Sequence, residues 1–165
     1  MMNLHFVKAS EKYASSYCLT LEAVARERKY LASTEGFSRD SVIEFVRNTE
    51  QHDLAQFFAL ESENVIGWCD ILPKKFEGMT HVGVLGMGVL ASYRGKGIGK
   101  RLLRLTLEHA KQINKLEKVE LEVFKTNTAA MAMYAKEGFV VEGERIDSRK
   151  LDGKYDNIIL MGKRI

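Results

Sequence analysis

The sequence predicts an α/β fold in which helices flank a mixed β-sheet. Segments with strand-like apolar alternation are interleaved with segments that carry the apolar stripe of a helix. The chain then closes with two strand-like segments joined by Asp152-Gly153, a dipeptide typical of tight hairpin turns. The 165 residues contain no internal repeat, low-complexity tract or linker, and this length is usual for one domain. We therefore predict a single domain over residues 1–165.

The predicted strands are short runs in which apolar residues alternate with polar ones or stand together between turn-forming residues. They cover residues 3–8, 57–60, 65–72, 81–90, 119–124, 139–150 and 155–161. A turn at 61–64 and a polar loop at 73–79 follow the second and third strands. Glycine at positions 83, 86 and 88 weakens the fourth strand unless a bulge or a close ligand needs bare backbone there.

Helices are predicted where apolar residues recur at helical spacing. They cover residues 10–28, a short segment after residue 38, residues 98–113 and residues 128–136. Ser10 and Ser38 are the predicted N-caps of the first two helices, because a serine hydroxyl can accept from a first-turn amide. Gly138 stands where glycine commonly ends a helix.

The charge balance is mild, with 25 basic and 22 acidic residues and a net charge of +3. Such a balance argues against a nucleic-acid-binding protein and against a polybasic membrane anchor. No apolar run approaches the roughly 20 residues of a transmembrane helix, and the N-terminus lacks the features of a signal peptide. We therefore expect a cytoplasmic protein without nucleic-acid or membrane partners.

The cysteines and histidines do not have the spacing of metal ligands. Cys18 and Cys69 lie far apart and form no CxxC pair, so we expect two small core residues in a reducing compartment. The four histidines are equally scattered: His5, His52, His81 and His109. No metal cofactor is expected.

The most informative segment runs from residue 87 to residue 99, where a strand passes through a glycine-rich turn into a helix. Three alternate glycines leave side chains off the turn, namely Gly95, Gly97 and Gly99. Main-chain N–H groups can then converge at the helix start, which carries partial positive charge and suits a phosphate or pyrophosphate. Mobile positive charge is expected beside it from Arg94, Lys96 and Lys100. The spacing fits neither the Walker pattern nor the dinucleotide fingerprint.

Two motifs, in this order, resemble those of the GNAT superfamily of N-acetyltransferases. The segment Arg94-Gly95-Lys96-Gly97-Ile98-Gly99 is similar to R/Q-x-x-G-x-G/A, and NTAAMAMYAKEGF at 127–139 is similar to N-x-x-A-x-x-x-Y-x-x-x-G-F. The resemblance covers nearly the whole chain. It implies a mixed, mostly antiparallel sheet of about seven strands flanked by about four helices, with acetyl-CoA as co-substrate.

The resemblance also implies which residues bind the cofactor. They are Met87, Gly88, Val89, Arg94, Gly95, Lys96, Gly97, Ile98, Gly99, Lys100, Asn127 and Tyr134. Among them, the Val89 backbone N–H would stabilise the oxyanion, and Tyr134 would protonate the departing thiolate as general acid. Asn127 would hydrogen-bond the pantetheine or pyrophosphate region.

The general base stays open at this point. Related enzymes that act on small amines often carry a glutamate on the fourth strand, five residues before the valine equivalent to Val89, where this chain has Val84. This departure argues against a base at that position. The remaining candidates are His81, Asp70, Glu120 and Glu122.

The resemblance leaves three functions open. The first is acetylation of a primary amine on a small molecule, and the second is acetylation of a protein at its N-terminus or at lysine. The third is a non-catalytic CoA-binding sensor module, against which the presence of Tyr134 argues. The terminal strands of such proteins often contribute to dimers, so a homodimer is one expected state.

Overall fold

The computed structural model describes residues 3–165. Its α-helices are α1 (Ala14–Arg26), α2 (Arg39–Gln51), α3 (Ile98–Gln112) and α4 (Thr128–Lys136). Its strands are β1 (Leu4–Lys8), β2 (Ala55–Glu61), β3 (Asn64–Pro73), β4 (Val82–Val89), β5 (Lys118–Phe124), β6 (Val140–Leu151) and β7 (Lys154–Arg164). Every predicted strand and helix is present, with boundaries that differ by a few residues, but α2, which was predicted to be short, is as long as α1 at 13 residues.

The strands form a seven-stranded sheet in the order β1-β2-β3-β4-β5-β7-β6. The pair β4 and β5 is parallel, whereas β1 with β2, β2 with β3, β5 with β7 and β6 with β7 are antiparallel. This confirms the prediction of a mixed, mostly antiparallel sheet with helices.

The residues divide into two compact units. The first contains the described residues up to Leu72 together with Gly86–Lys115, and the second contains Pro73–Leu85 together with Leu116–Ile165. The single domain over residues 1–165 stays a prediction. Within residues 3–165 no helix is long and apolar enough to cross a membrane.

The core of the first unit lies where α1 and α2 pack on the sheet. Tyr17 and Val24 of α1 and Val46 of α2 are each at most 2% exposed. The Tyr17 ring lies 4.8 Å from the ring of Phe58 on β2 and 5.6 Å from that of Trp68 on β3, measured between centroids. Such aromatic contacts add to the stabilisation that burial itself provides. This packing fixes the face of β2 and β3 that turns toward α1.

The two predicted N-caps have different outcomes. The Ser38 hydroxyl accepts from the Ser41 amide at 3.2 Å, which confirms the cap of α2. The prediction for Ser10 is wrong, because its side chain makes no capping hydrogen bond. A single 3₁₀ turn over Glu11–Tyr13 follows Ser10, and α1 begins only at Ala14. The tighter turn changes which amides lie within reach of the Ser10 side chain.

The second unit is built on β5, β6 and β7. β7 pairs with β5 along all seven residues of β5, from Lys118 opposite Arg164 to Phe124 opposite Ile158. Asp152 and Gly153 have φ values of 51° and 75°, the left-handed pair that a tight hairpin turn requires. The predicted β6–β7 hairpin is therefore confirmed.

Candidate active site

The entry to α3 is shaped by two glycines in the left-handed region. Gly95 has φ of 74° and Gly97, the residue before the helix, has φ of 78°. A Cβ atom at either position would meet nothing within 4 Å, so backbone conformation and not lack of space requires glycine here. The residue before the helix, Gly97, has no side chain with which to cap the first amides of α3. The entry therefore has the open, amide-rich form that favours an anion.

Helix α3 holds this turn on a rigid support. Ile98, Leu102 and Leu103 are at most 3% exposed, so one side of the helix is buried from its first residue. Thr106 is also buried, and its hydroxyl donates to the Leu102 carbonyl at 2.8 Å. A side-chain hydroxyl satisfied within its own helix needs no other partner in the core. The position of the turn thus follows from the apolar stripe of α3.

Arg94 is held in place on the same unit. Its guanidinium donates to both carboxylate oxygens of Glu27, at 2.7 and 2.5 Å, and its Nε donates to the Val89 carbonyl at 2.8 Å. The same group lies 4.5 Å from the Tyr30 ring centroid, within cation–π distance. This differs from the expected mobile charge, because two-point pairing with a carboxylate orients an arginine strongly. Lys96, which is exposed, donates from Nζ to the Ser92 carbonyl at 3.0 Å.

The end of β4 lies against β3. The Leu90 amide donates to the Ile66 carbonyl at 2.9 Å. Gly88 has no room for a side chain, because a Cβ atom there would lie 2.3 Å from the Trp68 ring. Val89 is 9% exposed, and its side chain packs beside Gly67 of β3. The predicted oxyanion donor therefore belongs to a tightly packed strand end, and Met87 beside it is half-buried.

The second motif lies in the other unit, at the start and in the middle of α4. Asn127 precedes the helix, and its side-chain oxygen accepts from the Ala130 amide at 3.3 Å. Asn127 is therefore the N-cap of α4. Tyr134 is 6% exposed, and its ring lies 5.7 Å from that of Phe139 in an edge arrangement. Because α4 begins after Asn127, Asn127 lies just outside the helix that carries Tyr134.

Two of the four candidate general bases are paired with cations. Glu120 lies 2.5 Å from Lys74 Nζ and 3.1 Å from Lys118 Nζ, and these two ammonium groups hold the pKa of its carboxyl below its ordinary value. Glu122 lies 2.7 Å from an Arg145 nitrogen. A carboxylate stabilised in its charged form is a weak proton acceptor.

Asp70 and His81 have other surroundings. His81 is exposed, and its carbonyl accepts from the Glu117 amide at 2.9 Å. Asp70 on β3 is half-buried, and burial raises the pKa of its carboxyl to about 7, with no ion pair or hydrogen bond from residues 3–165 acting against it. Burial thus brings the pKa of Asp70 close to neutral pH, the range in which a general base works best.

Sequence reasoning missed the residues that hold these groups. Glu27 orients Arg94 from 67 residues away, and nothing in the local sequence marks that partnership. Tyr17 lies within the helix predicted over residues 10–28 and was given no role at the site, although burial and then the charge of Asp70 raise the pKa of its hydroxyl. Among residues 3–165, no group of three or more potential metal ligands is present.

Comparison with known proteins relates the chain to one family. The family model described as Acetyltransferase (GNAT) family matches residues 18–139. Spermidine N(1)-acetyltransferase of Escherichia coli K12 is 38% identical over 69 residues, which are 42% of this chain and 37% of that protein. The chain thus matches little more than a third of the length of this relative.

Solved structures agree in fold. The acetyltransferase of GNAT family from Streptococcus pneumoniae superposes with a TM-score of 0.92 at 25% identity, covering 99% of this chain and 100% of that one. The yncA protein of Salmonella typhimurium, solved with its cofactor acetyl-CoA, gives a TM-score of 0.91 at 14% identity, covering 98% of this chain and 94% of that one. The latter similarity concerns the fold alone.

Proposed function

The chain belongs to the GNAT family of acetyltransferases, and on that premise we propose that it transfers an acetyl group from acetyl-CoA to a primary amine of a small molecule. The observation that supports this most directly is the entry to α3. Gly95 and Gly97 are both left-handed and open, and they precede a helix without a side-chain cap. Such a turn offers main-chain amides to the pyrophosphate of CoA.

Two kinds of group contribute to cofactor binding in this proposal. The amides of residues 95–100 contact the pyrophosphate, and Lys96 and Lys100 add positive charge near the helix start. Arg94 acts differently: its side chain, held by Glu27, fixes the turn in its binding form. Met87, Gly88 and Val89 run beside the pantetheine arm, with Asn127 as a further contact.

The chemistry follows from what a thioester needs. The amine must attack as a free base, because an ammonium has no lone pair. Negative charge then develops on the carbonyl oxygen, where the Val89 N–H would stabilise it by about 2.7–4 kcal/mol. Tyr134 would protonate the departing thiolate, an effect of about 10²–10⁴-fold on rate.

The proposed role of Tyr134 predicts a selective loss. Tyr134→Phe removes the phenolic proton and keeps the ring that packs on Phe139. We expect kcat to fall by about 10²-fold or more, with the affinity for acetyl-CoA unchanged. An unaltered turnover number would remove Tyr134 from the mechanism.

The acceptor is proposed as a small amine because the matched Escherichia coli relative is named for spermidine. Release of free thiol from acetyl-CoA over a panel of spermidine, amino acids, an aminoglycoside and peptides tests this directly. Turnover with a small amine supports the proposal. Turnover with peptides alone would favour a protein acetyltransferase, and binding without turnover would favour a sensor module.

The pyrophosphate site has a matched test of its own. Gly97→Val places a branched side chain at φ of 78° in the proposed loop, while Gly153→Val does the same at φ of 75° in the β6–β7 turn. Neither position has an atom within 4 Å of the added Cβ, so both substitutions cause similar backbone strain. We expect calorimetry to show lost CoA binding for Gly97→Val only. Retained micromolar binding in that variant would refute the site.

A cytoplasmic location and a homodimer complete the proposal. The edge strand β6 supports the second, because an unpaired edge with exposed apolar side chains is suited to association. Val140, Val141 and Ile146 are 63%, 58% and 68% exposed along this strand.

A further inference from the structure

Asp70 occupies a defined position on the sheet of the first unit. It pairs with Gln56 of β2 in the antiparallel register of β2 and β3. On its other side, a Cβ atom built on Gly86 of β4 would lie 3.3 Å from Asp70 Oδ1. Because Gly86 has no side chain, the carboxylate is left uncovered on the side that faces β4. Gly86 and Asp70 are both half-buried.

The groups packed around Asp70 leave its charge uncompensated. Tyr17 approaches from α1, and burial followed by the Asp70 charge raises the pKa of its hydroxyl well above the ordinary value. Burial likewise raises the pKa of the neighbouring Cys69 thiol. Both groups are therefore neutral near pH 7, and neither a phenol nor a thiol can supply a compensating positive charge. An unpaired carboxylate in such surroundings is costly to the fold, which marks it as a candidate functional group.

Gln56 adds a buried polar group to the same set. Its side-chain oxygen accepts from the Thr49 hydroxyl at 2.6 Å. Its amide nitrogen is buried and makes no hydrogen bond of normal geometry with residues 3–165. The Gln56 side chain lies close enough to Tyr17 to lower the pKa of the tyrosine hydroxyl, but burial raises that pKa by more. The polar groups around Asp70 thus have unused hydrogen-bonding capacity.

We propose that Asp70 is the general base that takes the proton from the acceptor ammonium. This assignment rests on the proposed acetyltransferase function. Gly86 stands three residues before Val89 on β4, a separation of about 10 Å along a strand. That distance is spanned by a chain of three groups with about 3 Å between neighbours, namely the thioester carbonyl, the amine nitrogen and one bridging water. Proton transfer through one water is within the ordinary reach of a general base.

The proton balance of the step is complete. The ammonium loses one proton through water to the Asp70 carboxylate, which leaves a neutral amine and a neutral carboxylic acid. The amine nitrogen forms a bond to the acetyl carbon, and the bond from that carbon to sulfur breaks. Tyr134 gives its phenolic proton to the departing thiolate, and the second amine proton, lost as the amide forms, passes through solvent water to the tyrosinate and restores the phenol. Asp70 then releases its proton to solvent.

Asp70→Asn tests the assignment, with Glu120→Gln as the matched control. Asn keeps the shape of Asp and cannot accept the proton, while Glu120 is a carboxylate already paired with Lys74 and Lys118. Thiol release with spermidine, or with the fastest amine of the panel, gives kcat from pH 5.5 to 9. We expect the kcat of the wild type to rise toward a plateau with a midpoint near 7, the pKa of Asp70. Asp70→Asn should lower kcat by about 10²–10⁴-fold and lose that midpoint, whereas Glu120→Gln should keep it.

A second measurement needs no turnover. The pKa of Asp70 in the fold, about 7, lies above that of an unfolded aspartate, about 3.9. The native state therefore holds this proton more tightly, and the wild type loses stability as pH rises from about 4 through 7. The gain in melting temperature of Asp70→Asn over wild type should be larger at pH 8 than at pH 5. An equal gain at both values would show that Asp70 is not an uncompensated carboxylate, which overturns the assignment.

The outcomes separate the two proposals. An active wild type with an equally active Asp70→Asn variant overturns the role of Asp70 and leaves the acetyltransferase proposal standing. A wild type that binds acetyl-CoA and acetylates no member of the panel overturns the proposed function and this assignment with it.

Discussion

Glycine is needed for opposite reasons at two places in the first unit. Gly97, before α3, has φ of 78° and open space around the position of a Cβ atom. Gly88, near the end of β4, is not among the residues with positive φ, but a Cβ atom there would lie 2.3, 2.6 and 2.9 Å from three atoms of the Trp68 ring. At Gly97 the backbone conformation demands glycine, whereas at Gly88 the neighbouring side chain does.

The difference separates a binding feature from a packing feature. An open left-handed glycine leaves its amides accessible, so the space beside Gly97 is available to a ligand. The space beside Gly88 is filled by Trp68, which is 3% exposed and contacts Tyr17 of α1. In one short stretch of sequence, glycine is therefore needed for the backbone of the proposed cofactor-binding turn in one case and for core packing in the other.

Gly88→Ala should have the largest effect on stability. The added methyl group overlaps the Trp68 ring, and such overpacking of a core costs about 1–3 kcal/mol, with larger values where the backbone cannot move. We expect a loss of at least about 3 kcal/mol in the free energy of unfolding by urea titration, because the ring is enclosed on several sides. Trp68 is the single tryptophan, so its fluorescence reports directly on its displacement.

Gly97→Ala is the control for Gly88→Ala. Gly97→Ala introduces backbone strain without a contact, which costs about 1–2 kcal/mol, and it should leave the fluorescence of Trp68 unchanged. Trp68→Leu in the Gly88→Ala background should recover part of the lost stability. A Gly88→Ala protein at least as stable as Gly97→Ala would contradict the packing interpretation.

Local features of the fold were predictable from the sequence, and contacts between strands were not. The Asp152-Gly153 hairpin and the cap at Ser38 follow from residues close together in the chain, and both are present. The cap at Ser10 failed because a 3₁₀ turn competes with the helix start, and sequence does not distinguish the two. Gly88 was expected to lie at a bulge or against a ligand. The Trp68 ring fills that space instead, because the register that places Trp68 against Gly88 is set by pairing between strands.

In the candidate site, too, local features were predictable from the sequence and contacts between distant residues were not. The turn at Gly95 and Gly97 was predictable, because glycine spacing before an apolar helix determines its local form. The pairing of Glu27 with Arg94 was not, because the two residues meet only once α1 is folded. Asp70 could be named as one candidate base among four, but its distinction from Glu120 depends on the lysines that the structure places beside Glu120 and not beside Asp70.

Gly86→Ala should have the smallest effect on stability and the most specific effect on activity. Its methyl group would lie 3.3 Å from Asp70 Oδ1, a contact that a shift of a few tenths of an ångström relieves. We therefore expect the free energy of unfolding to change by less than about 1 kcal/mol. The methyl group would also cover more of the carboxylate, which should raise the pKa of Asp70 further because the charged form is less well solvated.

The midpoint of the kcat profile should then move to higher pH in Gly86→Ala, by less than about 1 pH unit. Gly143→Ala is the matched control, since Gly143 is a half-buried strand glycine whose Cβ atom would make an ordinary 3.5 Å contact with Leu160. That variant should keep the midpoint of the wild type. If Gly86→Ala also kept the wild-type midpoint, the carboxylate of Asp70 would not be the group that titrates in the reaction. The three atoms nearest to the added methyl group all belong to Asp70, so the substitution acts first on that carboxylate.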